Sequence, residues 1–135
     1  MDFKHVALSP AVVYLAYLAS ALVLLWGFVA VYTRVTHFDE WQLIHEGNVA
    51  AALSLGGATL GFSCTLATSI ALHAGWLMFL VWAVVAMVIQ LMAYAVMARG
   101  LPGINKAIHE GNAAMGGTMG FTSLAVGIVN AACLT

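Results

Sequence analysis

Four long apolar runs, separated by short polar segments, make up most of the chain. They fall at about 11–33, 48–71, 76–98 and 112–134. A hydrocarbon core of ~30 Å is crossed by ~20 apolar residues in a helix, so each run is long enough to span a bilayer. None shows the strict alternation of a membrane-barrel strand. The pattern predicts an all-α membrane protein with four transmembrane helices. The first run extends from Val6 to Thr33, well beyond the ~7–15 residues of a signal-peptide core. Ala19-Ser20-Ala21 has the look of a cleavage site, but Leu22 to Trp26 follow at once. An uncleaved span is expected.

The polar segments before the second and fourth runs are nearly the same. Ile44-His45-Glu46-Gly47-Asn48 recurs 64 residues later as Ile108-His109-Glu110-Gly111-Asn112. The offset holds without a gap into the following run, where Ala50, Gly56 and Leu60 match Ala114, Gly120 and Leu124. The chain therefore reads as two tandem helical hairpins, residues 1–71 and 72–135. Each hairpin has an even number of spans, so both point the same way across the membrane. Arg34 lies in the first loop, and Arg99 and Lys106 in the third; Lys4 alone opposes this bias. The excess of positive charge predicts that loops one and three are cytoplasmic and both termini outside.

The loops carry helical signals of their own. Asp39 is placed to cap a short interfacial helix, and Trp41 suits the headgroup layer. Leu101-Pro102-Gly103 predicts a turn into a matching helix that begins at Ile104. Gly47 and Gly111 are positions at which the chain can bend before entering the membrane.

At 100° per residue, small and polar side chains gather on one face of two spans. On the fourth span these are His109, Asn112, Gly116, Gly120, Ser123, Gly127 and Asn130; on the second, His45, Asn48, Ala52, Gly56, Thr59 and Ser63. Gly57/Gly61 and Gly116/Gly120 also have the spacing that brings membrane helices close. The stripes are read either as packing seams or as the lining of a narrow polar path, facing each other or copies in another subunit. Spans one and three are bulkier, with Tyr14, Tyr17, Trp26, Phe28, Trp76, Phe79 and Trp82. They are expected to face lipid, and Gln90 is expected to satisfy a neighbouring helix.

Composition narrows the function. The chain of 135 residues is 64% hydrophobic and 7% charged, with mean hydropathy +1.02, which no soluble domain of this size sustains. Four basic residues argue against a nucleic-acid surface. Cys64 and Cys133 are expected to be buried thiols, and no metal ligand cluster is evident. No nucleophile–base pair or cofactor motif is present, so neither an enzyme nor a cofactor is expected.

The candidate polar residues are Glu46, Glu110, His45 and His109. The carboxylates either stay hydrated or paired with Arg34, Arg99 or Lys106, or bind protons or cations in partial burial. The imidazoles titrate near neutral pH. They are not metal chelators, because adjacent His and Glu diverge by about 100° on a helix. Asn48 and Asn112 are expected to be keystones, each fixing helix register through amide hydrogen bonds.

The repeated Glu-Gly-Asn before an Ala/Gly-rich span, with the closing segment Gly127 to Thr135, resembles the YjfL-like inner-membrane family, the bacterial domain of unknown function 350. That resemblance implies a bacterial inner-membrane protein of two tandem helix pairs, with no established activity and an association with envelope or membrane-stress components. The function expected first is a non-enzymatic, homo-oligomeric scaffold or partner subunit among membrane lipid and an envelope-associated protein. The alternative is a small oligomeric proton or cation conduit.

Overall fold

The computed structural model describes residues 9–72 and 75–135. Lys4, which entered the charge argument, and Val6, where the first apolar run was read to begin, lie outside the described residues. Six helices follow in order: α1 (Pro10–Val35), α2 (Glu40–His45), α3 (Val49–Leu72), α4 (Trp76–Gly100), α5 (Ile104–His109) and α6 (Ala113–Ala132). Their bounds lie close to those read from the sequence. Three helices, α1, α3 and α4, are long and apolar enough to cross a membrane. The 20-residue α6 is diluted by Gly116, Gly117, Gly120, Gly127, Thr118, Thr122, Ser123 and Asn130.

Local chemistry fixes the helix ends. Ser9 caps α1 through Val12 N, and Pro10 occupies the first turn, where a missing N–H costs nothing. Asp39 caps α2, accepting from Gln42 N at 3.1 Å. Gly103, at φ 85°, starts α5.

The two short helices end alike. Gly47 and Gly111 have φ 86° and 85°, a left-handed conformation that a side chain opposes. Around the first, Gly47 N donates to Ile44 O at 3.0 Å and Asn48 N to Leu43 O at 2.8 Å. Around the second, Gly111 N donates to Ile108 O at 3.0 Å and Asn112 N to Ala107 O at 2.9 Å. Both corners are therefore Schellman caps, which occupy carbonyls the helix end would leave unpaired. The bend allowed by the glycines is present in both.

The parallel pair α3 and α6 forms the centre. A Cβ added to Gly57 would collide with the Gly120 backbone, and one on Gly116 with the Ala50 backbone. One on Gly120 would strike Leu53 O, and one on Gly127 would strike Gly61. The helices thus meet backbone to backbone, where dispersion and polar contacts hold them in the absence of a hydrophobic drive in lipid. Thr65 Oγ1 donates to Gly127 O at 3.2 Å, and Asn130 Nδ2 to Thr65 Oγ1 at 3.4 Å.

The outer helices differ. On α4, Phe79, Ala83, Ala86, Gln90 and Tyr94 are buried; on α1, only Phe28 and Tyr32 are. Phe28 stacks on Phe62 of α3 at 4.5 Å, and Tyr32 meets Tyr94 edge-on at 5.6 Å. Gln90 is the interhelical amide expected, donating through Nε2 to Ser123 O at 3.2 Å. Both cysteines are free; Cys64 is half-buried, and Cys133 is exposed rather than buried.

Candidate functional site

The corner asparagines are not equivalent in use. Asn48 Oδ1 caps α3 by accepting from Ala51 N at 3.0 Å. Its Nδ2 crosses to the end of α5, donating to Ile108 O at 2.9 Å and His109 O at 3.2 Å. One side chain thus ties the start of one long helix to the end of the other short one. Asn112 Oδ1 accepts from Ala114 N and Met115 N, at 3.1 and 3.2 Å, within its own helix. The asymmetry was not visible in two identical motifs.

The four titratable candidates lie on the surface. Glu46 is exposed and accepts at Oε1 from Gln42 Nε2 at 3.0 Å. The Glu110 side chain is 62% exposed and lies 3.8 Å from Lys106. His45 and His109 are both exposed. Exposed pairs of this kind contribute little to stability, and none of the four is held in a polar enclosure.

The stripes also part company. On α6, Gly116, Gly120, Ser123 and Gly127 are buried, the glycines pressed onto the α3 backbone. The face that α3 offers in return is built on Ala50, Gly57 and Gly61. The α3 stripe points elsewhere. Ala52 is exposed, and a Cβ on Gly56 would meet nothing within 4 Å. Thr59 and Ser63 turn their hydroxyls back onto Leu55 O and Thr59 O of their own helix, both at 2.8 Å. The two stripes therefore do not face each other within the chain.

A polar cluster that the sequence reading passed over lies at the corner of α1, α2 and α4. Glu40, the first residue of α2, is only 1% exposed, and neither carboxylate oxygen has a hydrogen-bond partner. Burial pushes its carboxyl up to about 7 and the neighbouring Asp39 charge adds to the rise; the Thr36 hydroxyl and the Glu40 N–H oppose it only in part, without bonding either oxygen. Tyr32 and Tyr94 both sense the Glu40 charge. Tyr94 Oη donates to Asn105 Oδ1 at 3.1 Å and lies 3.4 Å from His37 Nδ1. Tyr32 Oη and Ser54 Oγ are buried without a hydrogen-bond partner. The available signal was the internal repeat: the position 64 residues after Glu40 is Ile104, fully buried at 0% exposure. A carboxylate thus opens α2 at the position where isoleucine opens α5.

Comparison with known proteins agrees with the membrane character. The chain is 33% identical to the UPF0719 inner membrane protein YjfL of Escherichia coli strain K12 over 128 residues, 95% of this chain and 97% of that one. It is 32% identical to the UPF0719 transmembrane protein YshE of Bacillus subtilis strain 168 over 103 residues, 75% of this chain and 77% of that one. No solved structure matches. The family model described as Domain of Unknown Function (DUF350) matches residues 6–134. With that match over nearly its whole length, and with helices built to cross a bilayer, the chain is an integral membrane protein that belongs to the DUF350 family.

Proposed function

We propose that the chain is a non-enzymatic, self-assembling subunit of the inner membrane, with four spans in two tandem hairpins that run the same way. Each copy completes the first hairpin of another. Residues 1–71 and 72–135 are then the repeat units, and loops one and three face the cytoplasm.

The supporting observation is one contact made in one half and missing from the other. Between α3, α4 and α6, Gly61 is pressed against Gln90 Nε2 and Ser123 O. Shifted by the repeat length, the same triad is Ala125, Trp26 and Thr59. Trp26 and Thr59 line one open groove of about 550 Å³ between α1 and α3. Ala125 is exposed on the far side of α6. A second copy's α6, seated in that groove, supplies the missing member.

Two further features support the same occupant. The α4 positions Phe79, Ala86 and Gln90 are buried, while their α1 counterparts Leu15, Leu22 and Trp26 are 59%, 57% and 75% exposed. The unfilled α3 stripe borders the groove through Thr59. The contact joins two different faces, so it is heterologous and closes into a ring or is made twice in a dimer.

The test uses two single-cysteine variants, Thr59→Cys and Ala125→Cys, in a Cys64→Ala/Cys133→Ala background. Mixed in one membrane, they should form a 59–125 disulfide between chains, and native mass measurement should give an oligomer. A monomer with no such crosslink would overturn the reading.

A further inference from the structure

We propose that Glu40, buried at the start of α2 with both carboxylate oxygens unpartnered, is a proton-binding site. The inference goes beyond self-assembly, since Glu40 lies on neither of the faces argued to meet a second copy.

The first argument is electrostatic. A carboxylate withdrawn from water needs a cation or several donors to stay ionised. Glu40 has neither: both oxygens are unpartnered, and the ion pair found among the described residues, Lys106–Glu110, lies elsewhere. The groups that act on it are Thr36 and Asp39 from the α1–α2 turn, Tyr32 from α1 and Tyr94 from α4. Behind the tyrosines, α3 brings Ser54 to Tyr32, while α5 brings Asn105 and the α1–α2 turn brings His37 to Tyr94. The charged member of this set, Asp39, is an acid, so the surroundings favour the neutral form. Adding one proton turns the carboxylate into a carboxylic acid with an O–H donor.

The second argument is the repeat. Ile104 shows that the corner folds around an alkyl side chain, so the fold has no need of an acid there.

The test is infrared titration of the full chain in liposomes, following the carboxylic-acid C=O band. A band titrating near pH 7 is expected. It should vanish in Glu40→Gln and persist in Glu46→Gln/Glu110→Gln. Titration in the ordinary carboxylate range, or survival of the band in Glu40→Gln, would overturn the proposal. A midpoint lowered when sodium replaces choline would also overturn it, making the site a metal-cation site. If Glu40→Gln does not fold, the wild-type unfolding temperature decides. It should fall as pH rises from about 4.5 to about 7; a rise over that interval would refute the site.

Discussion

The segments leading into α3 and α6 share a corner motif and a backbone conformation, yet only the second stripe is filled. The α6 stripe lies against α3 backbone, and α4 buries five side chains. The matching α3 stripe faces open space, and α1 is left almost bare. Small residues on a membrane helix therefore mark a place where another backbone can come close, without fixing whether that backbone belongs to the same chain.

The largest effect should come from leucine placed at equivalent glycines. Gly120→Leu drives a side chain into Leu53 O and should abolish folding, read as loss of the helical, detergent-resistant species. Overpacking costs ~1–3 kcal/mol where side chains can yield, and here the obstacle is backbone. Gly56→Leu meets nothing within 4 Å; it should leave the monomer folded and remove the 59–125 crosslink. If both variants unfold alike, the halves are not distinguished as argued.

Next in size is Glu40→Ile, which installs the residue of the second half. The Glu40 carboxyl is raised from 4.5 to about 7 in the folded chain. Its contribution is therefore neutral below about pH 4.5 and increasingly destabilising as pH climbs through about 7. Glu40→Ile should stabilise by roughly 3 kcal/mol at pH 8 and far less at pH 4, measured by unfolding at both values. A gain independent of pH would trace to packing instead.

The asparagines give a smaller contrast. Asn48→Ala loses a cap and two bonds to α5, for ~2–3 kcal/mol in all. Asn112→Ala loses a cap alone, for ~1 kcal/mol. Equal losses in denaturation would show that the crossing bonds contribute nothing. The smallest effect belongs to Glu46→Gln/Glu110→Gln, whose side chains are exposed. Stability should stay within ~0.5 kcal/mol of the parent, and liposomes holding the variant should be as ion-tight as those holding the parent.

Much of the fold was legible in the chain. Hydropathy and spacing located the long helices, Asp39 announced its cap, the glycines their bends and Gln90 its interhelical bond. Rotation was not legible. Periodicity groups residues on a face but carries no information on where the face points, so Gly56 and Gly120 read alike and ended in opposite surroundings. Glu40 was missed because Asp39-Glu40, next to Trp41, reads as ordinary interfacial polarity. Only alignment of the halves, with Ile104 buried at the same position, exposes it. Conversely, Glu46 and Glu110 stood out by repetition, yet their duplicated role is a helix corner.

The central seam also has a mechanical consequence. Packed side chains can change rotamer and let helices slide, whereas carbonyls and Cα atoms in direct apposition have no such slack. At Gly57, Gly116, Gly120 and Gly127 the two helices interlock at that level, and Asn48 pins one end. The pair α3–α6 should behave as a single spar. Any shape change across the membrane would fall to α1, whose anchorage is Phe28 and Tyr32, and would turn on the corner that holds Glu40.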